Sequence, residues 1–264
     1  MTDTADTTDT RTTLHPFLDA PAPLAFAHRG GAADGLENTL SAFRQAVELG
    51  YRYLETDVHL TGDGRLVAFH DETLDRVTDG TGPIAELPWE TVRRARVGGM
   101  ERVPLFADLL EALPGARWNI DVKAPRALEP LLELVEAHAA WDRVCVGSFD
   151  ENLVARAQRL AGARLATSLG TAGVRALRLR SWGMPVGVRR SAVCVQVPVR
   201  HGRLRVVDAA FVRAAHRRGL QVHVWTVNDR AQMGALLDLG VDGIMTDHTE
   251  TLREVLTERR AWPG

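Results

Sequence analysis

A chain of 264 residues, 45% hydrophobic and 25% charged, is long enough for one sizeable α/β core and ordinary in composition for a globular protein. Its formal net charge of −2 gives no ground for a nucleic-acid surface or a polybasic membrane anchor. No apolar run approaches the ~18 residues of a membrane span, and the two cysteines, Cys145 and Cys194, sit in apolar runs that read as buried, reduced thiols without metal-type spacing.

The N-terminal stretch "MTDTADTTDTRTT" is polar and of low complexity, and lacks the apolar segment of a signal peptide. It predicts a disordered tail over residues 1–15 ahead of one domain over 16–264, in a cytoplasmic protein. Short β-branched or apolar runs then recur at 24–28, 52–57, 66–70, 117–122, 143–147, 164–168, 192–197, 221–225 and 243–246. Amphipathic stretches lie between most of them, clearest at 39–49, 106–113, 127–139, 150–160, 208–218 and 229–239. Asp208 and Asn228 read as N-caps, and Gly50, Gly219 and Gly240 stand where helices should stop.

Strand alternating with helix predicts a parallel sheet, because a crossover helix lets the next strand run the same way. Nine strands are one too many for an eight-stranded barrel. Only "TGDG" separates residues 52–60 from 65–70, and so short a turn joins antiparallel strands. Residues 58–70 are therefore predicted as a hairpin on the second strand, and the remaining eight runs as a (β/α)8 TIM barrel. A doubly wound sheet is the alternative, weakened because "HRGGAADG" after the first strand is no dinucleotide loop. Residues 71–105, with the helix-like "PWETVRRAR", read as an insertion above the C-terminal face.

In such a barrel the chemistry collects at the C-terminal strand ends. There stand His28-Arg29-Gly30, Glu55-Thr56-Asp57 and Asp121-Val122-Lys123, with Ser148, Gln196, Trp225 and Asp247 on other strands. Alternation puts Glu55 and Asp57 on one face, and Asp121 and Lys123 on one face of another strand. Such acids either pair with Arg or Lys at the rim or hold a hard divalent cation such as Mg²⁺ or Ca²⁺. Zinc is disfavoured, since no His/Cys cluster is visible. The hairpin returns His70 to the neighbourhood of Asp57, across the mouth from His28, and two imidazoles suit acid–base work near neutral pH. His59, His223, His15, His201, His216 and His248 read as structural or surface residues, with His59 the one that alternation could turn inward. A cation, a lysine and an arginine at one mouth predict an anionic substrate, best a phosphodiester.

These residues resemble the glycerophosphodiester phosphodiesterase family. The matches run in order from about residue 24 to 257: "AHRGG", "LENTLSAF", "AVELGYRYLETDVHLTGDGRLVAFHDETLDRVTDGTG", "PLFADLLEALP", "NIDVK", "VWTVND" and "LGVDGIMTD". The resemblance implies a phospholipase-C-like TIM barrel that hydrolyses glycerophosphodiesters to an alcohol and glycerol 3-phosphate with one divalent cation. It implies His28 and His70 as the acid–base pair, Glu55, Asp57 and Asp121 as metal ligands, and Arg29 and Lys123 as phosphate contacts. Trp225 is a candidate wall of the glycerol or alcohol pocket. In related enzymes the glycerol 2-hydroxyl attacks phosphorus first, and water opens the cyclic phosphate. The chain departs from the family in having Asp121 where Glu is usual, one methylene shorter, and Leu36 where Pro is usual. Glu37 and Asn38 read mainly as structural. Two further readings stay open: a lysophospholipase D, which needs an apolar groove at the mouth that Ile84, Leu87, Trp89 and Met100 of the insertion either line or leave by simply packing the lid, and a barrel that binds phosphodiesters without catalysis.

Overall fold

The computed structural model describes residues 15–188 and 192–262. The tail expected over 1–15 lies outside the described residues except for His15, whose Nδ1 accepts from the Phe17 amide at 3.1 Å and so starts the short turn Pro16–Leu18.

The strands in chain order are β1 Leu24–Ala27, β2 Tyr53–Leu60, β3 Leu66–Ala68, β4 Arg96–Val97, β5 Glu101–Arg102, β6 Arg117–Val122, β7 Val144–Gly147, β8 Ala166–Thr167, β9 Cys194–Pro198, β10 Arg200–His201, β11 Leu204–Arg205, β12 Gln221–Trp225 and β13 Gly243–Thr246. The helices are α1 Leu40–Glu48, α2 Trp89–Val92, α3 Phe106–Ala112, α4 Leu128–Ala137, α5 Glu151–Ala161, α6 Thr171–Ser181, α7 Ala209–His216, α8 Arg230–Asp238 and α9 Thr249–Glu258. Eight strands pair in parallel in the order β8-β7-β6-β2-β1-β13-β12-β9. The seam between β8 and β9 is closed by the bridge of Ser168 with Cys194 and by backbone bonds Val193 N to Thr167 O and Leu169 N to Cys194 O, both 3.0 Å. The molecule is thus an α/β barrel of eight parallel strands.

The hairpin forms as its turn requires: β3 runs antiparallel to β2, with Val58, His59 and Leu60 opposite Ala68, Val67 and Leu66. Thr61 and Asp63 fasten the turn through a 2.6 Å hydrogen bond, and Gly64 takes φ +84°. Residues 71–105 hold α2 and the β4–β5 ladder, and pack Leu74, Ile84, Val92, Ala95, Val97 and Val103 on Val67 and Phe69 of the hairpin.

Capping follows the sequence with one shift. Thr39 caps α1 and Asp208 caps α7, each accepting from the amide three residues on. Helix α8 is capped by Asp229, which accepts from Gln232 N at 2.7 Å, and not by Asn228. Asn228 is drawn into the site instead, where it holds Asp247. Gly50, Gly219 and Gly240 do lie just past their helices, all at positive φ. Both cysteines are free and buried.

Two packed layers result. Between strands and helices, Leu54, Trp118, Ile120 and Val146 pack on helix residues such as Phe43, Phe106, Leu131 and Phe211. Inside the barrel, Leu24, Phe26, Tyr53, Cys145, Ala166, Cys194 and Met245 form a separate apolar layer, sealed below by Phe17 and Leu18.

Candidate active site

That inner layer explains where the polar groups go. Side chains on a strand alternate faces, so each inward column continues two residues at a time towards the C-terminal end. Leu24 and Phe26 are followed by His28, Tyr53 by Glu55 and Asp57, Cys145 by Gly147, Ala166 by Ser168, Cys194 by Gln196 and Met245 by Asp247. These six columns are apolar below and polar or bare above, whereas the inward columns of β6 (Arg117, Asn119, Asp121) and β12 (Gln221, His223, Trp225) carry polar groups lower down as well. The polar tier opens into a cavity of about 620 Å³ whose walls include His28, Arg29, Glu55, Asp57, His70, Asp121, Lys123 and Trp225. All eight site residues singled out from the sequence therefore face one space.

His28 leaves β1 into a tight turn in which Arg29 has φ +51°, Gly30 +87° and Gly31 +95°. Glycine is needed at position 30, since a Cβ there would stand 2.9 Å from Ala42 Cβ. The turn aims the Arg29 amide at Glu55 Oε2, 3.0 Å away. His28 Nδ1 bonds Asp247 Oδ1 at 2.6 Å, and Asn228 Nδ2 donates to the other Asp247 oxygen at 2.8 Å. His28 Nε2 lies 3.8 Å from Glu55 Oε2. Burial pulls the imidazole pKa down, but Glu55 and Asp247 outweigh it and hold the ring above its usual value.

The β2 and β6 strands place Asp57 directly beside Asp121 in register. Lys123, the only lysine in the chain, reaches both, 2.9 Å to Asp57 Oδ1 and 2.7 Å to Asp121 Oδ2. A compact ammonium suits that gap better than a planar guanidinium. Asp57 is 2% exposed, and also takes Asn38 Nδ2 at 3.2 Å and faces Arg29 Nε at 3.4 Å. Burial alone would raise its pKa; Lys123 and Arg29 reverse the sign and keep it low. Asp121 is held up by burial, which Lys123 only partly offsets. Glu55 is pushed up to about 7, by burial first and by Asp57 second.

The three acids are not gathered around one point. Asp57 and Asp121 share Lys123, while Glu55 turns to the His28 side, and among the described residues no three His, Cys, Asp or Glu side chains converge closely enough to hold a metal ion. Their chemistry still fits a hard divalent cation. All three are carboxylates facing the same cavity, with no sulfur donor among them, and Glu55 is a buried carboxyl whose pKa burial and Asp57 hold up.

His70 follows β3, with its Nδ1 bonded to Asp71 Oδ1 at 2.5 Å. Arg76 of the insertion clamps Asp71 and also reaches both Glu37 oxygens, at 3.0 and 2.7 Å, while Arg29 reaches Glu37 Oε1 at 3.0 Å. Arg76, followed by His70, drives the Asp71 pKa well below the usual carboxylate range. Glu37 is thus a hub joining the His28 turn to the His70 turn, and Asn38, at φ +57°, ties Thr56 to Asp57. Neither faces the cavity. His59 Nε2 donates to His70 O, 3.0 Å away, which holds the hairpin's return, and the ring is not part of the cavity wall.

Three groups gain their roles only from the structure. Asp247, read from the sequence as a strand-end acid without a role, and Asp71, which adjoins His70, orient the two imidazoles. Asn119, Ser168 and Gln196 floor the cavity, with Gln196 Nε2 donating to Asn119 Oδ1 at 2.6 Å. The third group is the apolar wall. Ile84 is buried in the insertion's own core, Leu87 and Trp89 pack partly on it, and Met100 is exposed. None of them lines the cavity, so of the two alternatives it is the packing of the insertion that the structure bears out for Ile84, Leu87 and Trp89. The wall comes from Phe149, Leu169, Val174, Leu179, Trp182, Leu204, Val206 and Trp225. Phe149 meets Trp225 edge-on at 5.8 Å.

The chain matches the profile of the glycerophosphoryl diester phosphodiesterase family over residues 28–251. It is 42% identical over 258 residues to "Probable glycerophosphodiester phosphodiesterase 2" of Mycobacterium tuberculosis, covering 94% of this chain and 96% of that protein. It is 27% identical over 266 residues to a lysophospholipase D of Homo sapiens, covering 87% of this chain and 85% of that one. Among solved structures, an Oleispira antarctica phosphodiesterase in complex with the product sn-glycerol-3-phosphate superposes with a TM-score of 0.75 at 22% identity, over 89% of this chain and 97% of that one. With a site of two carboxylate-oriented histidines at the mouth of an eight-stranded barrel, and with the family's profile running through it from His28 onward, the chain belongs to the glycerophosphoryl diester phosphodiesterase family of phosphodiester hydrolases.

Proposed function

We propose that the chain hydrolyses glycerophosphodiesters to an alcohol and glycerol 3-phosphate, with His28 and His70 as the acid–base pair. The observation that carries this reading is the matched orientation of the two rings. Each commits Nδ1 to a carboxylate, Asp247 for His28 and Asp71 for His70, at 2.6 and 2.5 Å. A ring that donates its Nδ1 proton in this way keeps Nε2 as the basic atom, turned towards the same cavity as its counterpart. One Nε2 takes the proton of the attacking oxygen while the other gives a proton to the leaving oxygen. The exchanged protonation states then suit a second attack by water.

Arg29 and Lys123 support the phosphate assignment, since both present positive charge to the cavity where charge on the phosphoryl oxygens grows. Glu55, Asp57 and Asp121 would hold a Mg²⁺ or Ca²⁺ ion. Such an ion supplies a Lewis acid for the phosphoryl oxygens. Asn119, Ser168 and Gln196 offer polar partners for the glycerol hydroxyls, and the apolar wall receives the alcohol side. That wall also supports a second reading, hydrolysis of lysophospholipids, as the name of the Homo sapiens relative says of that protein.

The test is a panel of glycerophosphocholine, glycerophosphoethanolamine, glycerophosphoglycerol and lysophosphatidylcholine, with released glycerol 3-phosphate or its acylated form measured. Turnover of the first three, lost in EDTA and restored by Mg²⁺ or Ca²⁺, is expected. Release from none of them overturns the reading, and full activity in chelator removes the ion from it.

A further inference from the structure

The net charge of −2 conceals a segregation. Residues 152–207 contain eleven arginines and no aspartate, glutamate or lysine, while the rest of the chain carries 21 basic against 34 acidic residues. This acid-free stretch builds the side of the mouth formed by α6, the β10–β11 ribbon and the loops around them. Arg175, Arg180, Arg200, Arg203 and Arg205 are all exposed there, and none of the five is in an ion pair among the described residues. The two acids that bound the stretch in sequence are already used: Asp208 holds Arg178 through two bonds of 3.0 and 2.6 Å, and Glu151 accepts from the Ala172 amide at 3.1 Å.

Among these arginines stand large apolar side chains facing water. Phe149 is 65% exposed, Trp182 52%, Leu204 42% and Met184 39%. Phe149, Trp182 and Leu204 also line the cavity, so the apolar surface runs without a break from the rim into the site. Leu204 sits in the β10–β11 ribbon between Arg203 and Arg205, an apolar contact flanked by two cations.

We propose that this rim is an interfacial docking face for an anionic phospholipid bilayer, which seats the mouth of the active site on the membrane surface. Arginines contribute attraction to anionic headgroups, and apolar side chains between them enter the headgroup–acyl boundary. A nucleic acid would satisfy the arginines but gives Leu204 and Met184 nothing to bury against, which favours the bilayer. The face lies beyond the reaction proposed above and is read without substrate, so either idea can fail alone.

Sedimentation of the full chain with large unilamellar vesicles tests it. Binding is expected to vesicles of phosphatidylcholine with about one-third phosphatidylglycerol, to be weakened by raised salt, and to be near absent with phosphatidylcholine alone. Reversing charge in Arg200→Glu with Arg203→Glu, neither of which lines the cavity, should lower partitioning more than ~10-fold, while hydrolysis of a water-soluble glycerophosphodiester stays unchanged and reports correct folding. Trp182→Ala, which leaves the charge alone, should lower partitioning several-fold. Equal binding to neutral and anionic vesicles, no binding to either, or full binding by the double variant overturns the proposal. So does tighter binding of a single-stranded oligonucleotide than of the anionic vesicles with the same dependence on Arg200 and Arg203, which would reassign the face to nucleic acid.

Discussion

Lys123 shows how much one side chain settles. It neutralises Asp57 and Asp121 at 2.9 and 2.7 Å, and those two carboxylates are neighbours across β2 and β6. Without it Asp57, 2% exposed, keeps only Arg29 and Asn38. The pairs E-x-D and D-x-K were legible because a strand's alternation is fixed, but the lysine's choice of partners was not, since it depends on the register between two strands far apart in sequence. The histidines follow the same division. Their positions could be read, but the pairing of His28 with Asp247 could not, because it spans 219 positions of sequence, whereas Asp71 simply adjoins His70. His28→Ala and His70→Ala should each lower kcat by about 10²–10⁴-fold, the usual worth of a general acid or base; wild-type turnover by either variant would remove that ring from the mechanism. Asp247→Asn should lower kcat by roughly 10–100-fold with KM little changed. Because Asp247 helps hold the His28 pKa up, its loss should also move the pH-rate limb that reports His28 towards acid. A limb that does not move makes Asp247 a packing residue only.

At the level of elements, the hairpin and the α1, α3, α4, α5, α7 and α8 helices announced themselves through turn chemistry and apolar spacing. Helix α6 did not. Its inward position 178 is an arginine only 8% exposed, so the apolar stripe that marks a helix face is interrupted. The compensation is Asp208, which binds the Arg178 guanidinium with both oxygens and at the same time caps α7 through the Phe211 amide at 2.9 Å. One carboxylate thus fastens the helix that walls the cavity to its neighbour. Asp208→Ala removes a cap and a charge-assisted pair together, and should cost about 2–3 kcal/mol in urea unfolding. The hydrogen bonds from Arg178 keep the Asp208 pKa below its ordinary value. A depressed pKa means stability that is present above the unfolded carboxyl's pKa, near 4, and is lost as pH falls through the folded one. Asp208→Asn should therefore flatten the fall of Tm on acidification as well as lower the plateau. A variant with unchanged slope below pH 4 would show that the pair contributes nothing through its charge.

For the whole molecule, the barrel was readable because eight apolar runs and one short turn admit few other arrangements, and the inward columns then fix that the polar tier must sit at one end. How evenly the cylinder is closed was not readable. The β2–β6 ladder holds six residue pairs in register, and β9–β12 five. The β8–β9 seam has a single bridge and two backbone bonds, because β8 is only two residues long before the chain turns to α6. Amide protection follows the local free energy of opening, so the seam should open before the rest of the cylinder. Hydrogen exchange should find the seam amides of Leu169 and Val193 at least ~10-fold less protected than those of Leu54 to Val58, a difference of about 1.4 kcal/mol in opening. The consequence reaches the site, since Ser168 and Gln196 flank the seam and floor the cavity, and α6 begins just beyond it. Opening there widens the cavity on its apolar side and leaves the His28, Glu55 and Asp57 side, anchored in β1 and β2, in place. Equal protection around the ring would mean that the cylinder opens as one unit, and that the width of the cavity is fixed by the fold.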